Sequence, residues 1–270
     1  MPAMVEDRLS IGAFYNPHLA QALLQAAGVV DHLSMADPPA PDDPLFPSIR
    51  DHFPLLLHDY LGQLSDPLSQ HALARARQLQ EVYRGPWVAE HFQCLHTQDG
   101  ACTLDYVFPP LYTEEFLSRF VANACVLRDA VNAPLVMENI PGFFALNYAQ
   151  MTEAEFLRRF LDQTGCGLLL DLPHIWLAAH YSGRDARQYL ADFPLQKVVE
   201  LHVAGVEADR DLEGPWIAPT PPTQEILGLA LWVGERAPGL RAVTFDAFAP
   251  SLSAEVLLRS VEATRAAFGL

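Results

Sequence analysis

Six residues with metal-binding side chains close six apolar runs of this chain. His58 ends FPLLLH, His91 ends PWVAEH and Glu138 ends PLVME. Asp171 ends GLLLD, His202 ends KVVELH and Asp246 ends RAVTFD. If these runs are strands of one parallel barrel, their C-terminal ends open on a single mouth. One imidazole or carboxylate from each would then build a polynuclear metal site. A single His at a strand end more often only hydrogen-bonds, and an Asp there is often the N-cap of the next helix. Recurrence at matching positions, rather than any one residue, points to metal.

Around these six lie further candidates. Asp171 and His174 form D-x-x-H across a turn stiffened by Pro173, so both side chains can face one mouth from different depths. Glu138 has two oxygens with which to bridge two cations, and Asn139 beside it can orient a ligand or satisfy the next loop's backbone. Glu90 precedes His91 and, on a strand, faces the other way; it is expected to pair with a cation in the outer layer. Asp211 and Glu213, near Asp209 in an acidic loop, could complete a third metal position with His174 or simply be solvated. The expected metal set is therefore His58, His91, Glu138, Asp171, His174, His202, Asp211, Glu213 and Asp246. Asp171, His174 and Asn139 form the expected catalytic set. Mixed imidazole and carboxylate donors suit iron, zinc or manganese better than calcium or copper(I).

The elements that must position these groups alternate along the chain. Strand-like runs occur at RLSIGAF, VVDHLSM, HFPLLLH, PWVAEHF, PLVMEN, GLLLD, KVVELHV and LRAVTFD. They are short and nearly continuous in apolar residues, as strands buried on both faces of a parallel sheet are. Between them lie helical patterns. DPLSQHALARARQLQEVY has Asp66 as its expected N-cap with Pro67 at the first helical position. TEAEFLRRFLDQTG opens on Thr152 and closes on Gly165. Eight strands in about 250 residues make an α/β fold of the (β/α)₈ TIM-barrel class, a single domain over residues 1–270. Residues 36–50 and 205–222 break the rhythm and read as long loops at the mouth.

Bulk properties narrow the function. Net charge is −16, from 17 Lys+Arg against 33 Asp+Glu, a field that repels nucleic acid. No apolar run approaches the ~20 residues of a membrane helix, and MPAMVEDRLS lacks the charged-then-apolar signal pattern. The expectation is a soluble, cytoplasmic protein with no nucleic-acid or membrane partner. Cys94, Cys102, Cys125 and Cys166 form no C-x-x-C and read as free thiols.

The stretches VAEHF, VMEN, GLLLDLPHIWLAAHYSGRDARQYLADFP, VVELHVAG and TFDAFAPSL resemble the MNIO family, the multinuclear non-haem iron-dependent oxidative enzymes, within the xylose-isomerase-like barrels. Their order matches over about residues 53–255, best from Gly167 to Gly205. The resemblance implies His58, His91 and Glu138 as ligands of a first iron. It implies Glu138, Asp171 and His202 for a second, with Glu138 bridging, and His174 at a third position. It further implies iron, two or three ions, and dioxygen acting on cysteine residues of a ribosomally made precursor peptide, with a partner protein that presents the peptide. The chain departs from the family at two points. The D-x-H after strand seven is matched nearest by Asp211-Leu212-Glu213, and E-W-D on strand eight reads Thr244-Phe245-Asp246. Two other readings stand beside the oxygenase: a zinc or manganese hydrolase or sugar isomerase on the same barrel, and a barrel that only binds a peptide or partner.

Overall fold

Hydrophobic runs without polar interruption can be buried on both faces only inside a closed or covered sheet. In the computed structural model they are the staves of a barrel. The described residues are 4, 8–36, 43–58, 61–96, 103–143, 148–208, 215–247 and 249–270. In chain order the strands are β1 (Ser10–Phe14), β2 (Leu33–Met35), β3 (Leu55–His58), β4 (Val88–His91), β5 (Cys94–His96), β6 (Thr103–Phe108), β7 (Leu135–Glu138), β8 (Gly167–Asp171), β9 (Val198–Val203), β10 (Gly205–Ala208), β11 (Pro215–Ala218) and β12 (Ala242–Phe245). Eight of these close a parallel barrel in the order β1-β12-β9-β8-β7-β4-β3-β2. They are the eight runs read as strands from the sequence.

Helices α1 (Ala20–Gln25), α2 (Phe46–His52), α3 (Gln70–Tyr83), α4 (Glu114–Val131), α5 (Glu153–Thr164), α6 (Leu172–Tyr181), α7 (Ala186–Leu190), α8 (Gln224–Gly234) and α9 (Ala254–Ala267) complete the alternation. Thr152 and Gly165 cap α5 as expected: the Thr152 side chain accepts from Glu155 N, and Gly165 takes φ 71°. The start of α3 differs. Its N-cap is Ser69, whose hydroxyl accepts from Ala72 N, and not Asp66. Asn123 on α4 donates to the carbonyls of both Leu64 and Asp66, which holds that segment in a turn and delays the helix.

The two stretches read as loops contain regular elements. Residues 36–50 end within α2, and β10 pairs antiparallel with β11 inside 205–222, with Val206 opposite Ile217. A second hairpin, β5–β6, follows β4 and was not anticipated. Between barrel and helices lies the main core, where Phe92 stacks among Phe120, Phe156 and Phe160. Inside the barrel a smaller apolar cluster of Leu56, Trp87, Ala89, Val136, Leu169 and Ala242 forms a floor beneath the strand ends. Burying each such aliphatic side chain stabilises by roughly 1.5–3 kcal/mol.

Candidate metal centre

Parallel register sets the candidates side by side. His91 lies opposite Glu138, Asp171 opposite His202, and His58 beside the β4 strand. Along each strand the residue two back belongs to the floor: Leu56 below His58, Ala89 below His91, Val136 below Glu138, Leu169 below Asp171. Period-two alternation therefore points the last residue of each strand into the same lumen. Asp171 also caps α6, accepting from His174 N at 2.6 Å. Asn139 Oδ1 accepts from Asp171 N at 2.8 Å, and its Nδ2 donates to Asp171 O at 3.2 Å. The amide thus clamps the ends of β7 and β8 together.

Three donor atoms converge closely. Glu138 Oε2 lies 2.8 Å from His58 Nε2 and 2.9 Å from His91 Nε2, and the two imidazole nitrogens are 3.1 Å apart. Donors ~2.1 Å from one ion and at right angles to each other stand about 3 Å apart, so this triangle fits a divalent transition metal. Two further observations agree. All three side chains are buried, and among the described residues both ring nitrogens of buried His202 lack a hydrogen-bond partner, a costly arrangement unless something else binds there.

A second set shares the other oxygen of Glu138. His202 Nδ1 lies 3.6 Å from Glu138 Oε1, 3.8 Å from Asp171 Oδ2 and 3.3 Å from Asp246 Oδ2. Glu138, Asp171, His202 and Asp246 can all present one atom within 4.8 Å of one another, as can His58, Glu138 and His202. His174 Nδ1 lies 3.4 Å from Asp171 Oδ1 and 3.7 Å from Glu138 Oε1. That nitrogen donates to Asn139 O at 2.8 Å, since a carbonyl can only accept, which leaves Nε2 as its available donor atom. Asp211 and Glu213 lie outside the described residues, as does Cys102. Glu90 corrects an expectation. Rather than pairing with a cation of the outer layer, its carboxylate lies 3.4 Å from His91 Nδ1 and accepts from the backbone of Leu61, Gly62 and His91 at 2.7, 3.2 and 2.7 Å. Cys94, Cys125 and Cys166 are free thiols, and burial pushes Cys94 up to about 11, a poor nucleophile at neutral pH.

The electrostatics follow from packing opposite charges out of water. Burial works against a charged His91, but the Glu138 and Glu90 carboxylates together outweigh it and raise the imidazole to about 10. Burial alone would raise Glu138; His91 and His58 hold it well below the usual carboxylate range instead. Asp171 is pushed up by burial to about 7, with His174 opposing. Without an ion, protons on the imidazoles balance these carboxylates.

Sequence reading missed a second polar layer beneath the site. Glu200, two residues before His202 on β9, is buried and carries its carboxylate into the lumen. Its Oε2 accepts from Trp87 Nε1 at 2.8 Å, and its Oε1 from the Thr244 hydroxyl at 2.6 Å. Thr244 in turn lies 2.9 Å from His32 Nε2, and His32 Nδ1 lies 2.8 Å from the Ser10 hydroxyl. His32 reaches β12 by crossing β1 at Gly12. A Cβ there would sit 2.6 Å from the imidazole and 2.3 Å from the His32 carbonyl oxygen. The E-L-H spacing was the available signal, since residues two apart on a strand share a face.

A cavity of about 370 Å³ opens nearby, lined by Pro109, Tyr112, Met151, Glu153, Tyr181 and Tyr189. Ala178, one helical turn beyond His174 on α6, also lines it, so one face of α6 runs from the cluster to the cavity. Tyr189 donates to Glu153 at 2.6 Å, and burial lifts Glu153 to about 7.

The closed parallel barrel is a (β/α)₈ TIM barrel, and its fold is similar to that of xylose-isomerase-like barrels. The structure aligns with a xylose isomerase domain-containing protein of Salmonella typhimurium over 100% of both chains, at TM-score 0.64 and 11% identity. It aligns with endonuclease IV of Thermus thermophilus over 94% of this chain and 98% of that one, at TM-score 0.59 and 15% identity. At such identities the likeness concerns the fold alone. Residues 24–215 match the family described as RiPP precursor modification enzyme MbnB/TglH/ChrH, and the chain belongs to that family. A UPF0276 protein of Rhizobium meliloti is 31% identical over 216 residues, 79% of this chain and 65% of that protein. Another from Paraburkholderia phytofirmans is 33% identical over 168 residues, 62% of this chain and 54% of that protein. The match thus spans less than two thirds of those relatives' own length.

Proposed function

We propose that this chain is a non-haem iron enzyme that oxidatively modifies cysteine residues of a ribosomally made precursor peptide, using dioxygen. Membership of a precursor-modifying family supports the peptide substrate. The observation that carries the metal is the triangle of His58 Nε2, His91 Nε2 and Glu138 Oε2, with sides of 2.8, 2.9 and 3.1 Å. Two imidazoles and one carboxylate on one face, with positions left open, are the donor set of non-haem iron(II) oxygenases. In this reading His58, His91 and Glu138 would hold one ion and Glu138, Asp171, His202 and Asp246 a second, with His174 Nε2 free to bind a third ion or the substrate. Bound iron would supply one-electron chemistry with dioxygen and lower the pKa of a substrate thiol.

The protein's own groups do the remaining work. Glu138 spreads its charge over both donor sets. Asn139 fixes the backbone of Asp171 through both its N–H and its carbonyl, which keeps the carboxylate aimed at the cluster. The cavity beside α6 would take an apolar or aromatic side chain flanking the modified cysteine, with the Tyr189–Glu153 pair at its wall. A separate protein that presents the peptide belongs to the same proposal.

The test is metal analysis and Mössbauer spectroscopy on protein purified without oxygen, with Glu138→Gln beside it. Two or three irons per chain, lost in the variant, are expected. Zinc or manganese alone, with iron unable to bind, would replace this reading with hydrolysis or isomerisation. Metal content unchanged by Glu138→Gln would remove Glu138 from the site.

A further inference from the structure

We infer that Glu200 is a positioning residue that fixes the hydrogen of His202 on Nε2 and so presents the Nδ1 lone pair to the metal cluster. The inference rests on the metal-binding reading above.

The argument follows the direction of each hydrogen bond. Trp87 Nε1 can only donate, and it donates to Glu200 Oε2 at 2.8 Å. Thr244 donates its hydroxyl hydrogen to Glu200 Oε1 at 2.6 Å. With that hydrogen committed, Thr244 Oγ1 must accept from His32, whose Nε2 is 2.9 Å away. His32 Nδ1 then accepts from Ser10, 2.8 Å away. Every link points its hydrogen toward Glu200, which is left as an acceptor on both oxygens. His202 Nε2 is buried with no hydrogen-bond partner among the described residues and faces Glu200 Oε1 at 3.5 Å, beyond ordinary hydrogen-bond length; toward a carboxylate that nitrogen can act only as a donor. The opposite ring nitrogen, Nδ1, faces Glu138, Asp171 and Asp246 at 3.3–3.8 Å. A carboxylate behind a metal-binding imidazole sets its tautomer and ring orientation and makes it a better ligand.

Glutamine at 200 reverses this logic. Trp87 can only donate, so it keeps the amide oxygen, and the amide NH₂ is turned toward Thr244 and His202 Nε2. That favours a lone pair on Nε2 and a hydrogen on Nδ1, the wrong tautomer for the cluster. The experiment uses the full chain, stripped of metal and reloaded with Zn(II) as a diamagnetic probe. Histidine ¹⁵N spectra, assigned with His202→Asn, are expected to show a metal-bound Nδ1 and a protonated Nε2. Glu200→Gln is expected to weaken zinc at this position by about 10–100-fold. Glu200→Gln combined with Trp87→Phe, which frees the amide to turn, is expected to recover part of that loss. A purely structural role for Glu200 would give no such recovery. Metal on Nε2 of His202 in the unaltered chain overturns the inference without any variant having to fold. Unchanged zinc affinity in a folded Glu200→Gln protein overturns it while the metal site stands. Failure of the unaltered chain to bind zinc or iron at all removes both readings.

Discussion

At the scale of single residues, the cluster is built from side chains whose second role is structural. Asn139 joins two strand ends through both backbone groups of Asp171. Asn139→Ala leaves the buried N–H of Asp171 without its partner, so a loss of about 1–3 kcal/mol is expected, read as a lower denaturation midpoint together with weaker metal binding. Glu153 behaves differently because burial lifts it from 4.5 to about 7. The folded state binds its proton more tightly than the unfolded state does. The corresponding stability is full below pH 4.5 and is lost as pH rises through about 7. Glu153→Gln keeps a neutral acceptor for Tyr189, so its melting temperature relative to the unaltered protein is expected to rise between about pH 5 and about pH 8. A difference that stays flat with pH would mean that Glu153 is ionised throughout. The His and carboxylate candidates at strand ends were legible in the sequence because their types and positions recur. Glu200, His32 and Ser10 were not, because their meaning depends on which strands are neighbours, and β12, β1 and β2 meet only when the barrel closes.

At the scale of elements, strand existence was plain from the apolar runs, while boundaries answered to partners far along the chain. The start of α3 moved to Ser69 because Asn123 holds the preceding turn. The hairpin β10–β11 was hidden by a Pro- and Asp-rich composition that reads as loop, although Val206 and Ile217 pair across it. Strand β1 carries a tight backbone constraint. His32 occupies the space over Gly12, and a methyl group there would meet a carbonyl oxygen at 2.3 Å. Backbone cannot yield as a flexible side chain does, so Gly12→Ala is expected to cost about 3 kcal/mol or more, visible in chemical denaturation. Denaturation like that of the unaltered chain would show that β1 and β2 can part at little cost.

At the scale of the whole molecule, the barrel is a strongly acidic body with its candidate cations held inside. A net charge of −16 draws divalent ions toward the mouth, so metal uptake is expected to slow as ionic strength rises. An ion that binds only the folded chain stabilises it by roughly 2.7 kcal/mol at a hundredfold excess over its Kd. For a domain of this size that is a rise in Tm of about 5–10 °C, which calorimetry with and without iron(II) under nitrogen would register. No shift with metal present would mean that the cluster is balanced by its own protons and takes no ion.

The pairing of β1 with β12 also bears on how the molecule comes into being. Ser10 lies against Ala242, and Asn16 donates to Ala247 O across 231 positions of chain. Contacts that distant form late, because a long loop must be closed before they reward the chain. His202 and Asp246 lie on the last two staves to leave the ribosome. A nascent chain therefore carries His58, His91 and Glu138 for some time before the second half of the cluster exists. Metal captured in that interval would have one set of donors and no wall on the other side. Firm retention of an ion is therefore expected only once β9 and β12 have joined the barrel.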